Sequence, residues 1–246
     1  MGYADLHLHS LYSKDGTCSV ETILMQAQAR RLDVIAITDH NSMDGVITAL
    51  LLMRKYQVQV IPAIEISTAE GHLLAYELSE PIQKGLPLDT TVREIYDQGG
   101  FCIVPHPMGW ERDAIRSQVL ANTLRDSVAA DTILGIEVIN GGLNRRNHRA
   151  TGLDATFQLA AVGSSDGHNR DAVGRAVTCF EGNTIPALKK ALRQRKTTAQ
   201  WHYRTPDPIF YAEHIGYRIL HSLGFGVGKL KKKEQPRLWP VRWLKK

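Results

Sequence analysis

Cysteine is scarce: the 246 residues hold 3, at Cys18, Cys102 and Cys179, far apart and without CxxC spacing. An odd, scattered set excludes a disulfide framework and a thiolate zinc site, so reduced, mostly buried thiols are expected. No apolar run approaches the length of a membrane span. Met1 leads within a few residues into the polar DLHLHS, with neither the basic start nor the apolar stretch of a signal peptide. A cytoplasmic location is expected, and any peripheral membrane position would depend on the basic tail described below. No internal repeat or low-complexity segment precedes that tail.

What is present is ordinary in amount and unusual in placement. Hydrophobic residues make up 43% and charged residues 22%, which excludes disordered and fibrous classes. The length suits one sizeable core, so a single domain over residues 1–200 with an appendage over 201–246 is expected. The net charge of +5 suggests nucleic-acid binding until it is divided. Residues 229–246 carry eight Lys/Arg against Glu234, a net +7, which leaves about −2 for the body.

Apolar and β-branched runs alternate with helical patterns, as in β/α units with a largely parallel sheet. Strands are predicted at 4–7, 33–38, 58–64, 72–78, 101–104, 133–139, 161–163 and 176–180. Helices are predicted at 20–31, 44–56, 91–98, 144–159 and 185–195. Ser19 is placed to cap the first helix, with Glu21 in its first turn. The stretch 109–131 lacks periodicity and is expected to form a lid or an irregular helix.

Almost every predicted strand terminates in histidine or carboxylate. His7 and His9, two residues apart, fall on one side of an extended segment. Asp39 and His40, Glu65, His106, and Asp166 with His168 follow later strands, and His72 begins one. In parallel α/β sheets and barrels the carboxyl ends of the strands form the functional face, so these residues should converge there. One strand-end histidine is usually a satisfied polar residue, but six beside carboxylates ask for a common purpose. Imidazole with carboxylate and without cysteine suits a catalytic site for divalent Zn, Mn or Fe.

With HxH, TDH, GHLLAY, PHP and SDGH in order, the sequence resembles the PHP (polymerase and histidinol phosphatase) family over about residues 3–200. The resemblance implies an α/β fold, a distorted (β/α)7 barrel, and two or three divalent metal ions. It further implies that His7, His9, Glu65 and Asp166 hold one ion. Glu65 would bridge to a second ion held by His72 and His106, and Asp15, His40 and His168 would hold a third. Aspartate at position 15, where the family often has histidine, resembles the nucleotide-phosphatase branch. Asp39 would orient His40 or lie near the site. Glu137 and Asn140, in IEVINGG, would face the same side as substrate contacts or as a hydrogen-bond network, while Asn147, in NHRA, and Arg175, in GRAVT, sit in patterns the family shares. Arg112, Arg145, Arg146, Arg170 and Arg175 are candidates for a second phosphate.

The activity implied is hydrolysis of a phosphate ester by metal-activated hydroxide, without a covalent intermediate. The substrate would be a nucleotide, a nucleoside bisphosphate or an RNA end. A histidinol-phosphate, sugar-phosphate or phosphoprotein phosphatase remains open. So does a binding or regulatory module delivered by its tail, where apolar residues at helical intervals from Ile209 to Leu223 precede a Lys cluster with Trp239 and Trp243. Such a tail can contact an anionic membrane surface or nucleic acid.

Overall fold

The computed structural model describes residues 1–107, 113–143, 147 and 150–202. The expected amphipathic helix and basic tail from residue 203 onward lie outside them. The chain runs β1 (Gly2–Leu8), α1 (Val20–Ala29), β2 (Val34–Ile37), α2 (Asp44–Tyr56), β3 (Gln59–Ser67), β4 (His72–Tyr76), α3 (Leu88–Asp97) and β5 (Phe101–Val104). It continues through α4 (Ser117–Thr123), α5 (Ser127–Thr132), β6 (Ile133–Asn140), α6 (Leu153–Phe157), β7 (Ala160–Ser164), β8 (Ala176–Phe180), α7 (Ile185–Arg193) and β9 (Thr198–Trp201).

The nine strands form one curled sheet in the order β7-β6-β5-β4-β3-β2-β1-β8-β9. β1, β2 and β3 are mutually parallel, as are β5, β6 and β7, while β4 and β8 run against their neighbours. Seven of the nine described strands therefore point one way. The curl nearly closes where β7 meets β8 and β9. There the Thr178 hydroxyl donates to the Gly163 carbonyl at 2.9 Å and accepts from the Gly163 N–H at 3.1 Å. Thr197 donates to the Ala161 carbonyl at 2.7 Å.

Two apolar clusters divide the fold. The outer one joins the sheet to the buried faces of the helices, such as Ile23, Leu24 and Ala27 of α1 and Val92 and Ile95 of α3. The inner one takes alternate residues of the strands, among them Ala4, Leu6, Ile61, Leu74, Phe101 and Val162, together with Leu188, Ala191 and Leu192 of α7. α7 thus plugs the barrel. It does so at the end where most strands begin, since Ile185 N–H donates to Gln59 and Lys189 pairs with Glu77 while lying over the Phe101 ring. Each plug leucine contributes ~1.5–3 kcal/mol by burial. The opposite mouth is left for chemistry.

Several element boundaries differ from expectation. α1 is capped as predicted, Ser19 accepting from Thr22 N–H at 3.1 Å, but stops at Ala29 because Arg31 turns left-handed. α3 begins three residues early, at Leu88, behind Pro87, whose fixed φ suits a helix entrance. Of the helix predicted over 144–159, residues 144–146 and 148–149 lie outside the described residues; α6 takes up Leu153–Phe157, and Gly152 at φ +83° marks its start. The aperiodic 109–131 stretch contains α4 and α5, joined by a turn at Asp126 that caps α5 through Ala129 N–H. β9 was not predicted. The three cysteines are free and buried, as expected.

Candidate metal centre

The predicted strand-end residues do converge, and two local irregularities aim them. In β1, Ala4 and Leu6 belong to the inner cluster whereas Leu8 packs with the outer one. The pairing with β2 shifts register between Asp5 and Leu8, and this bulge turns His7 and His9 together into the mouth. In β6, Glu137 and Asn140 are three residues apart, a spacing that a regular strand would send to opposite faces. The register shift between Glu137 and Ile139 brings them to the same side, and Asn140 Nδ2 donates to Glu137 Oε2 at 2.8 Å. His72 reaches this mouth from the start of β4 because β4 runs in reverse.

Glu65 is the hub. Although predicted to follow its strand, it lies inside β3, 1% exposed. Its Oε1 is 2.9 Å from His72 Nδ1 and 3.2 Å from His106 Nε2. Its Oε2 is 3.1 Å from His40 Nδ1, 3.3 Å from His9 Nε2 and 3.4 Å from His7 Nε2. Asp166 Oδ1 lies 3.4 Å from His9 Nε2 and 3.5 Å from His7 Nε2. Asp15 Oδ2 lies 3.0 Å from His40 Nε2 and 3.5 Å from His168 Nε2.

Four groups have ligand atoms within 4.8 Å of one another: His7, His9 and Asp166; His7, Glu65 and His106; His40, Glu65 and His72; and His9, Asp15, His40 and His168. All nine candidates are therefore gathered in one contiguous cluster. The grouping is more shared than the expected partition, because His7, His9, His40 and Glu65 each belong to two groups.

Opposite charges perturb one another strongly here. Burial opposes ionisation of Glu65 and Asp166, yet the surrounding histidines hold both carboxyls well below their usual range. Asp15 is held low in the same way by His168 and His40. Burial would lower His168, but Asp15 and Asp166 push it up to about 9. His9 is the exception: burial and the charge of His168 take it down to about 4. Both His106 and Asp166 also sit at positive φ, 29° and 49°, backbone strain of the kind retained at functional sites.

A second layer of buried polar groups fixes the first. Glu137 accepts from the His106 backbone N–H at 2.7 Å, from Asn140, and from the Ser164 hydroxyl, and its Oε1 lies 3.0 Å from His7 Nδ1. This contact favours the His7 tautomer that leaves Nε2 open to the mouth. Asn140 also donates to Asp166 Oδ2 at 3.3 Å, and its backbone is held by Asn147 at 2.7 and 2.9 Å. The contacts of Glu137 and Asn140 among the described residues form a hydrogen-bond network around the mouth. Asp39 holds the Ser10 backbone and hydroxyl at 2.6 and 2.7 Å, beside His9.

Asp5 was missed. Burial lifts its carboxyl to about 6, and it accepts from Ser165 N–H, the Ser165 hydroxyl and Gly174 N–H, anchoring the turn that carries Asp166. The available signal was a charge inside the strand-like YADLHL.

The basic candidates fare unevenly. Arg112, Arg145 and Arg146 lie outside the described residues. Arg170 is exposed and turned to Asp171 at 3.4 Å, and Arg175 is buried, its carbonyl accepting from His202 N–H. Among the described residues, no helix is long and apolar enough to cross a membrane.

Replacing Glu137 with glutamine keeps its shape and removes the charge behind His7. A fall of ~10–100-fold in metal affinity is expected from loss of such a partner, read by competition with a chromogenic chelator. An unchanged affinity would assign Glu137 to packing alone.

Comparison with known proteins agrees with this geometry. Residues 5–124 match the PHP domain and residues 144–197 the PHP-associated region. An uncharacterized protein of Methanocaldococcus jannaschii is 35% identical over 147 residues, covering 56% of this chain and 81% of that one. A phosphoribosyl 1,2-cyclic phosphate 1,2-diphosphodiesterase of Eggerthella lenta is 40% identical over 63 residues, 26% of this chain and 24% of that one. A two-domain Bacteroides vulgatus protein containing a predicted PHP-like metal-dependent phosphoesterase superposes with a TM-score of 0.67 at 24% identity. That likeness covers 81% of this chain and 64% of the other and concerns the fold. The chain belongs to the PHP family.

Proposed function

We propose that the protein hydrolyses a phosphate ester of a nucleotide, a nucleoside bisphosphate or an RNA end, using two or three divalent ions. His7, His9, Asp15, His40, Glu65, His72, His106, Asp166 and His168 would hold them. The observation that carries this reading is a set of buried atoms. His7 Nε2, both ring nitrogens of His9 and Glu65 Oε2 are buried without a hydrogen-bond partner. A buried polar atom left so costs ~1–3 kcal/mol, and His7 Nε2 and His9 Nε2 lie 3.4 and 3.3 Å from Glu65 Oε2. Imidazole nitrogen and carboxylate oxygen fit Zn, Mn or Fe, which would satisfy them.

Such ions, when bound, lower the pKa of water and neutralise the charge that builds on a phosphoryl group during in-line displacement. The chain's own residues set the geometry for this. Glu65 turns Oε1 toward His72 and His106 and Oε2 toward His7, His9 and His40, as a bridging carboxylate must. Burial grades across the cluster: the side chains of His7 and His9 are 0% exposed, those of Asp15 and His168 21% and 30%. Substrate thus enters from the side of Asp15, His40, His72 and His168, and the deep side excludes bulk water. The aspartate at position 15 and the partial likeness to a phosphoribosyl cyclic phosphodiesterase both favour substrates built on a phosphorylated ribose.

The test is elemental analysis of the purified protein with a Mn-supplemented panel of nucleoside 3′,5′-bisphosphates, 5′-phosphorylated short RNAs, phosphoribosyl cyclic phosphate and histidinol phosphate. Chelation should abolish turnover, and Asp166→Ala should lose both metal and activity. Normal hydrolysis by metal-free protein would remove the basis of this reading. A preference for histidinol phosphate would leave the chemistry standing and replace the substrate.

A further inference from the structure

We propose that the cleft beside the cluster is a second anion subsite, in which Lys14 and Lys84 bind a phosphate of the substrate other than the one being hydrolysed. The inference rests on the phosphoesterase reading above and adds to it a substrate carrying two phosphates. The cleft has a volume of about 830 Å³ and includes Asp15, His40 and His72, members of the cluster's entry side, in its wall. Lys14 and Lys84 open into the same space.

Both lysines are exposed, and among the described residues neither enters an ion pair, whereas Lys55 and Lys189 pair with Glu21 and Glu77. A cation kept unpaired beside a phosphate-handling centre is available to an incoming anion.

Their supports are ordered. Lys14 rides the β1–α1 loop, which is closed by Leu11 N–H to Cys18 O at 2.8 Å and Ser13 N–H to Ser10 O at 2.9 Å. Gly16 permits that closure, since a Cβ there would lie 2.0 Å from Ser10 O. Lys84 rides the segment after β4, pinned by Gly85 N–H to Ser67 O at 2.7 Å, by Ala69 N–H to Leu86 O at 2.9 Å, and by Ile82 buried in the core. Tyr12 and Pro81 add apolar surface to the cleft. The Tyr12 hydroxyl is 3.0 Å from Thr48 Oγ1, which holds the ring in place. Cation, apolar wall and cluster in one cavity match a ring flanked by two phosphates.

The shared chemistry is a second phosphate, supplied either by a nucleoside bisphosphate or by the internucleotide link of an RNA end. The test uses the metal-loaded full chain and a Lys14→Met, Lys84→Met double variant, both titrated calorimetrically with phosphorothioate analogues that resist hydrolysis. The probes are analogues of adenosine 3′,5′-bisphosphate, of a 5′-phosphorylated dinucleotide and of adenosine 5′-monophosphate. Wild type should bind one two-phosphate probe at least roughly tenfold more tightly than the monophosphate, and the double variant should lose that margin. The probe with the larger loss identifies the source of the second phosphate. Absence of any preference in wild type, its retention in the variant, or no binding of any probe overturns the subsite.

Turnover of p-nitrophenyl phosphate is followed in parallel. It should be the same in both proteins. If wild type with metal fails to turn it over, the phosphoesterase reading is in trouble, while the titrations still decide the subsite.

Discussion

Glu65→Gln lowers turnover by roughly a thousandfold or more, the loss expected when several kcal/mol of transition-state charge stabilisation is withdrawn. The size follows from position. One carboxylate meets five imidazoles within 3.4 Å, whereas Asp166 meets three within 3.6 Å. Glutamine keeps the volume but offers one oxygen without charge, so it cannot serve both sides. The variant should also bind less metal, by elemental analysis after gel filtration. Its far-UV circular dichroism should stay native, because the barrel is held by the two apolar clusters rather than by Glu65. A Glu65→Gln protein with full metal content and full turnover would move the chemical centre away from the hub.

The second large effect is on folding, at the seam. Gly163→Ala should destabilise the protein by ~1–3 kcal/mol, the usual cost of forcing atoms into a filled core. A Cβ at this position would lie 2.5 Å from the Val177 carbonyl oxygen and 3.2 Å from Ala199 Cα. Both neighbours are backbone of the strands that complete the barrel, so neither can swing aside as a side chain would. Relief requires β7 to move from β8 and β9, which strains the hydrogen bonds between Thr178 and Gly163. The measurement is the urea midpoint at unchanged m-value. An unchanged midpoint would mean that the seam is looser than its hydrogen bonds indicate.

The order of strands and the polar residues at their ends were readable because both follow short-range rules. Apolar runs mark β1, β2, β3 and β5, and a histidine or carboxylate closes each run. Convergence followed from the general geometry of parallel barrels. The reversal of β4 and β8 was not readable, because nothing in HLLAY or AVTCF distinguishes a parallel from an antiparallel partner. β9 escaped since TAQW is half-exposed and only weakly patterned. The sharing of His7, His9 and His40 between groups depends on bulges and ring rotations, which spacing does not encode. Asp5 was hidden for a related reason: a carboxylate inside a strand has meaning only once Ser165 and Gly174, far along the chain, close on it. Nothing in the sequence singles out Lys14 and Lys84, because a lysine's neighbours in space cannot be read from its neighbours in sequence.

The two bulges make the site depend on backbone shape as well as on chemistry. Straightening the β1 bulge at unchanged chain length would leave every hydrophobic and every ligand type in place, yet restore a regular alternation that sends both imidazoles toward the helices. The same holds for β6, where a regular strand of the same length would send Glu137 and Asn140 to opposite faces and part a pair that now shares a hydrogen bond. Two chains of this kind can therefore agree at every ligand letter and differ in competence by a single bulge. In reading relatives of this protein, the residues that shape these two bulges carry the same weight as the motifs themselves.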